Sequence, residues 1–172
     1  MPMSRTLRRV TLAVHLTASI GWIGSVVAYL VLAFAVPATH DPETVRAAWI
    51  GMELVGWYAV APLAVAALLT GTLLALGTRW GLFLHWWVVV SFVATTLLTG
   101  VLLLHLPDVT AGADRARAAG PAELTVMGSD IVHAAVGLAL LLGVLYLNLT
   151  KPAGLTRYGW RKQHQPRVRG RR

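Results

Sequence analysis

Residues 80–107, WGLFLHWWVVVSFVATTLLTGVLLLHLP, contain no Asp, Glu, Lys or Arg. About 20 predominantly apolar residues are enough for a helix to cross the ~30 Å hydrocarbon core of a bilayer, so this stretch predicts a transmembrane helix. Lipid cannot satisfy the polar groups of an irregular backbone, which favours a helix here over other structures. Three further stretches lack charge in the same way: residues 10–40, 54–78 and 131–150.

The composition agrees with a membrane protein, because 56% of the residues are hydrophobic and only 13% are charged. A soluble domain carries about 25% charged residues. The sequence therefore predicts an all-α, polytopic membrane protein that forms a four-helix transmembrane bundle. We expect a transmembrane domain over residues 1–150, with helices near 9–35, 46–77, 81–106 and 123–149, and a basic tail over residues 151–172.

The apolar run that follows Arg8 and Arg9 also imitates a secretory signal peptide, with Ala33-Phe34-Ala35 in place of a cleavage site. Its length exceeds the ~7–15 residues of a signal core, which favours a retained first helix.

Lysine and arginine are unequally divided between the two sides of the predicted bundle. One side holds 8 of the 15 such residues in the tail 151–172, together with Arg5, Arg8, Arg9 and Arg79, and the other side holds Arg46, Arg115 and Arg117. Cytoplasmic loops carry the excess of Lys and Arg, so both termini are expected in the cytoplasm.

The net charge of +8 is also typical of a nucleic-acid-binding protein. The basic tail directly follows a span, which favours contact with anionic lipid headgroups and predicts no nucleic-acid partner. The lipid bilayer is thus the first expected partner. Small residues on the second and fourth helices permit close helix packing, which leaves a homo-oligomer or another membrane partner open.

Histidines near the cytoplasmic ends of two helices form the first candidate site. Ionisable residues at membrane depth are costly and often functional. His15 and His85 are expected at similar depth on the first and third helices, and imidazole suits the axial positions of a haem iron. A b-type haem there would have Trp22 beside the macrocycle and Arg9 and Arg79 near its propionates. The alternative is ordinary packing of both histidines.

A second group of ionisable residues falls near the opposite ends of the helices. Asp130 and His133 are three residues apart and share a helix face. Histidine with carboxylate suits a divalent-metal site, a proton relay or the end of a second haem site. The alternative is a satisfied polar cluster that sets helix register. The members of this group are Glu53, His105, Asp130 and His133.

The sequence also excludes several kinds of site. The chain contains no cysteine, so disulfides and thiolate-ligated metals or clusters are excluded. No nucleophile–base pair, glycine-rich phosphate loop or zinc-protease motif is found. These observations leave open whether the protein is an enzyme.

Several short motifs resemble a group of uncharacterised actinobacterial integral membrane proteins over nearly the whole chain. This resemblance implies a bacterial plasma membrane protein and no particular activity. The motifs include His15-x6-Trp22-x-Gly24, Met52-Glu53, Gly81-Leu-Phe-Leu-His85, Val132-His133-Ala134 and Lys151-Pro-x-Gly154.

A second resemblance is confined to the first helix. His15 followed by Trp22 and Gly24 is similar to the copper-resistance D family and to the HemJ-type protoporphyrinogen oxidases. It implies that His15 is a haem or metal ligand. The segment that follows, VLAFAVPATH at residues 31–40, lacks the Pro-Arg-rich stretch of the HemJ type.

The sequence leaves three candidate functions for this protein. The first is electron transfer through a b-type haem. The second is a non-catalytic membrane subunit or scaffold without a cofactor. The third is a small transporter or metal-handling protein that uses the second group of residues.

Overall fold

The computed structural model describes residues 3–78 and 81–164, and within these ranges the chain is helical without a β-strand. Four helices are long and apolar enough to cross a membrane, which confirms the predicted all-α four-helix bundle of a multi-pass membrane protein. The predictions for Arg79 and residues 165–172 lie outside the described residues. The helices are α1 (Arg5–Ala38), α2 (Pro42–Gly77), α3 (Trp86–Ala118), α4 (Pro121–Leu124), α5 (Ile131–Thr150) and α6 (Arg157–His164).

The four long helices place the first and last described residues of the chain on one side of the bundle, where Met3 lies beside Gly77 and Thr156 pairs with Leu84. We call this side the termini end and the opposite side, which holds residues 36–56 and 105–134, the distal end. At 33 residues, α3 is ~50 Å long and exceeds the ~30 Å hydrocarbon core. Because the charged residues of α3 all lie between Asp108 and Arg117, we infer that its excess length is at the distal end, outside the hydrocarbon core.

Burial is most complete at the distal end. Met52, Ala113 and Ala116 have no exposed surface there, whereas Leu97 in the middle of α3 is 63% exposed. Water drives apolar side chains together outside the bilayer, while lipid solvates them inside it. The distal end thus has the packed core of a soluble protein, and this core holds the candidate site in place.

The third helix is longer than predicted at its distal end. The sequence analysis ended it at residue 106 because of Pro107, but α3 runs on to Ala118. Val109 and Ala116 lie on one face of this extension and are buried against α2, with Ala113 between them. The guanidinium of Arg46 donates to the carbonyls of Ala116 and Ala119 at 3.0 and 2.9 Å, which satisfies the end of the helix.

The start of α3 also differs from the prediction, at Trp86 instead of residue 81. The C-terminal segment returns to this point and pairs with it. The Thr156 backbone N–H donates to the Leu84 carbonyl at 3.0 Å, and the Trp86 N–H donates to the Gly154 carbonyl at 3.2 Å. The first part of the basic tail is therefore held against the bundle, and residues 157–164 form α6.

The fourth long helix begins at Ile131 instead of residue 123. Residues 121–124 form the separate helix α4, and an irregular segment follows it. The Ser129 hydroxyl in that segment donates to the Ala33 carbonyl at 2.5 Å, which fixes the segment against α1. Because α5 begins at Ile131, Asp130 lies immediately before its first residue.

Candidate metal centre

The candidate site joins two helices and the residue that precedes one of them. His105 lies on α3, Asp130 occupies the N-cap position of α5, and His133 lies in the first turn of α5. An N-cap Asp ordinarily accepts backbone N–H groups of its own helix. The Asp130 carboxylate makes no such capping bond. A residue that departs from its local preference in this way often has a functional role.

The Asp130 carboxylate is the centre of the cluster. Its Oδ1 lies 2.9 Å from His133 Nδ1 and 3.0 Å from His105 Nε2. Its Oδ2 accepts a hydrogen bond from the Tyr29 hydroxyl at 2.6 Å and also lies 3.0 Å from His105 Nε2. Each imidazole nitrogen donates to the carboxylate when it carries a hydrogen. The cluster therefore ties α1, α3 and α5 together.

The two imidazole rings are stacked, with centroids 4.1 Å apart and planes inclined by 22°. The three side chains differ strongly in exposure, at 8% for Asp130, 21% for His105 and 61% for His133. The carboxylate is thus enclosed while one imidazole remains accessible. An incoming ion or molecule can approach from the His133 side.

The donor atoms have the composition and spacing of a metal site. The donor atoms of His105, Asp130 and His133 lie within 4.8 Å of one another. Ligands bound to a transition metal at ~2.0–2.2 Å lie roughly 3 Å from each other, close to the separations found here. Two imidazoles and one carboxylate are the protein ligands of catalytic zinc and non-haem iron(II) sites, which keep further positions open.

Two further side chains, Tyr29 and Asp108, lie beside the three candidate ligands. Tyr29 orients the carboxylate through its hydrogen bond. The second imidazole nitrogen of His105 lies 3.8 Å from the Asp108 carboxylate. Metal-binding histidines and carboxylates commonly have such outer partners, which fix the ligands in a binding orientation.

Two cavities meet at Asp130. One is a vestibule of about 650 Å³ on the distal surface, formed by the ends of α2 and α3 and the segment around α4. The other is a groove of about 650 Å³ that runs between α3 and α5 toward the termini end. Asp130 lines both, and His105 and His133 line the groove. The cluster is therefore accessible from the distal aqueous side and from the membrane interior.

The groove is long, apolar and open on one side. It extends along α3 from His105 to Val90, roughly 22 Å at 1.5 Å per residue. Its rim includes Val101 and Val136, which are 59% and 53% exposed. Asp130 is its one carboxylate among the described residues, and no Lys or Arg lines it there. The groove therefore opens onto hydrocarbon and ends at the polar cluster.

Glu53 lies apart from the three residues with which the sequence analysis grouped it. Its carboxylate forms an ion pair with Arg117 on the extension of α3. Arg117 also pairs with Asp114 at 2.7 Å. Glu53 thus links α2 to α3 in the distal core, and three of the four predicted residues form the cluster.

The predicted haem ligands lie near the termini end. His15 Nδ1 is 3.1 Å from the Ala67 carbonyl and 3.1 Å from Thr70 Oγ1, so the ring faces α2. His85 is the extended residue that precedes α3, and its backbone pairs with Leu155. Trp22 is buried and lines the groove, whereas neither His15 nor His85 is among the residues that line the groove or the vestibule.

Two further residues shape the site. The sequence analysis did not identify Tyr29, although a lone tyrosine within an apolar helix is a usable signal. Gly56, one of the small packing residues expected on the second helix, lies at the start of the wide π-helical turn Gly56–Val60 of α2. A Cβ at Gly56 would lie 2.7 Å from Leu106 Cδ2, so glycine allows α2 to approach the helix that carries His105.

Comparisons of the chain with protein-family models, with curated proteins and with solved structures found no match. Inference about function therefore depends on the geometry of the site.

Proposed function

We propose that this protein binds a divalent first-row transition-metal ion at the distal end of the bundle. The ligands are His105 Nε2, the Asp130 carboxylate and His133 Nδ1. The observation that carries the proposal is that two imidazole nitrogens meet one carboxylate oxygen at 2.9 and 3.0 Å. Imidazole nitrogens favour zinc, iron and similar ions over Mg²⁺ and Ca²⁺, which prefer oxygen ligands.

The setting of the cluster favours a metal over a purely structural hydrogen-bond network. A network that only fixes helix register needs no access, yet His133 is 61% exposed and Asp130 lines two cavities. Three protein ligands also leave coordination positions for water or a substrate. This arrangement supports a metal-dependent membrane protein that acts on molecules from the bilayer or from the distal aqueous phase.

Cobalt(II) binding tests the proposal, because the ion gives visible absorption bands that report its ligands. Protein purified in detergent and stripped with a chelator should bind a single Co²⁺ per chain. His133→Ala should abolish the bands, and His40→Ala, in an exposed loop, should leave them unchanged. Metal analysis of the unstripped protein then identifies the ion that it carries.

Two outcomes would overturn the metal assignment. One is a wild-type protein that binds no Co²⁺. The other is equal Co²⁺ affinity in wild type and His133→Ala. The second variant Asp130→Asn removes the charge but keeps the shape, so a folded Asp130→Asn protein with unchanged affinity also contradicts it.

Haem ligation by His15 and His85 stays a prediction, because neither residue lines the apolar groove that Trp22 lines. The visible spectrum of the same preparation tests it. A haem protein shows a Soret band that His15→Ala removes, whereas a colourless protein expressed with ample haem contradicts the prediction.

The remaining parts of the proposal concern placement and partners. We infer a bacterial plasma membrane protein with cytoplasmic termini, from the excess of Lys and Arg at the termini end. Tyr158 and Trp160 on α6 are both 57% exposed, next to Arg157 and Arg161. Aromatic and basic side chains together suit an anionic lipid surface, so α6 is proposed to lie on the headgroups.

A further inference from the structure

The geometry points to an isoprenoid quinol as the molecule that occupies the groove between α3 and α5, with its head at the His105–Asp130–His133 cluster. The inference concerns binding and rests on the proposed function only where the head would reach the metal ion.

The groove has the form of a site for a single apolar tail. It is roughly 22 Å long, its rim is open to hydrocarbon, and apart from Trp22, Tyr29 and the cluster its walls are Val, Leu, Ala and Gly. Its polar end is adjacent to the vestibule. A bound amphiphile would therefore lie along the bundle with its head at the distal surface.

In the metal-free protein, charge disfavours an acidic head. The described residues that line the groove include Asp130 but no Lys or Arg. Arg115 in the vestibule is accompanied by Glu123 and Asp130, so the head region without a metal ion holds more negative than positive groups. A phosphate would meet net repulsion there, whereas an uncharged head with hydroxyl groups can donate to the carboxylate and to imidazole nitrogen.

An aromatic hydroxyl fits the cluster better than an aliphatic one. A phenol is the more acidic donor and the better metal ligand once deprotonated. One face of the His133 ring is stacked on His105, and the side chain is 61% exposed, which leaves surface against which a second ring can pack. Among uncharged single-tailed lipids, these features favour the quinol class.

Two glycines allow the groove to be blocked without disturbing its walls. Gly137 and Gly143 both line the groove, and a Cβ at either position meets no atom within 4 Å. A leucine there would occupy the space of the tail. Gly100 on α3 is equally open but does not line the groove, so Gly100→Leu is a matched control.

The experiment measures anaerobic binding of decylubiquinol to the chelator-stripped, metal-free protein in phosphatidylcholine nanodiscs. Wild type and Gly100→Leu should bind it saturably. Gly137→Leu and Gly143→Leu should raise the Kd at least about tenfold, or about 1.4 kcal/mol. Dodecanol and phosphatidylglycerol should bind at least about tenfold more weakly to wild type.

Several results overturn the inference. They are absence of saturable binding to wild type, equal affinity for dodecanol or phosphatidylglycerol, and an unchanged Kd in both groove variants. A change from dimer to monomer in Gly137→Leu, without an effect on quinol binding, would assign the groove to a second copy of the chain.

Cobalt titration of the same samples separates this inference from the proposed function. Gly137→Leu should bind Co²⁺ like wild type, because no metal ligand is changed. A wild-type protein that binds Co²⁺ but not quinol overturns only the quinol assignment. A protein that binds quinol but not Co²⁺ overturns only the metal assignment.

Discussion

Asp130 shows how one residue changes its role when its neighbours come from other helices. Next to α5 alone, it would cap the helix through its carboxylate. Tyr29, His105 and His133 instead surround that carboxylate, and its exposed fraction falls to 8%. A buried carboxylate is costly unless several donors satisfy it, and here three side chains do so.

The Tyr29→Phe variant tests whether the hydroxyl orients the carboxylate for metal binding. Removing an outer hydrogen bond from a metal ligand typically weakens affinity 10–100-fold, so we expect a rise of about tenfold in the Kd for Co²⁺. Tyr58→Phe is the matched control, because Tyr58 is 80% exposed. Equal Co²⁺ affinities in the two variants would show that Tyr29 has no part in binding.

The extension of α3 is the element that positions the distal core. Trp49 of α2 packs against it at Gly112, where a Cβ would overlap the tryptophan ring. The contact leaves no room for a side chain, and the same face of α3 continues to His105. A displaced extension would therefore also displace the metal ligands.

The Gly112→Ala variant tests this contact. Overpacking of a filled core costs about 1–3 kcal/mol, so the protein should unfold at lower temperature than wild type in the same detergent. Gly100→Ala on the same helix meets open space and should be neutral or stabilising by up to about 1 kcal/mol. A Gly112→Ala protein as stable as Gly100→Ala would contradict tight packing at this point.

At the scale of the whole molecule, the distribution of charge and the two cavities make the two ends of the bundle different. The cluster and vestibule lie at the distal end, and the described Lys- and Arg-rich segments, residues 5–9 and 151–162, lie at the termini end. If the positive-inside rule holds for this chain, the proposed metal centre faces the extracytoplasmic side. The ion would then come from outside the cytoplasm, while the groove is filled from the bilayer.

The absence of native cysteine allows a direct test of this orientation. Val126 at the distal end is 81% exposed, and Ala153 at the termini end is also exposed. A membrane-impermeant maleimide should label Val126→Cys in intact cells and Ala153→Cys only after permeabilisation. The reverse pattern would invert the topology and place the centre in the cytoplasm.

The observed end of α3 is a feature that the local sequence pattern does not predict. Proline favours a helix end. A membrane-protein helix can nevertheless continue past a proline where neighbouring helices, side chains or ordered waters satisfy the freed backbone groups. Pro107 lies inside α3, and Arg46 of α2 satisfies the carbonyls of Ala116 and Ala119 at the end of the extension. Those partners are distant in sequence, so the local pattern could not reveal the longer helix.

The sequence by itself determined that lipid surrounds most of this protein and that four of its segments are long and apolar enough to cross a membrane. Transfer of a helix into hydrocarbon depends on the sum of local side-chain contributions, which a linear sequence contains. Only the tertiary structure decided which polar residues act together. Tyr29 and Asp130 are 101 residues apart, and His105 and Asp130 are 25 apart. Their convergence, and the separation of Glu53 from them, depend on how the helices pack in three dimensions.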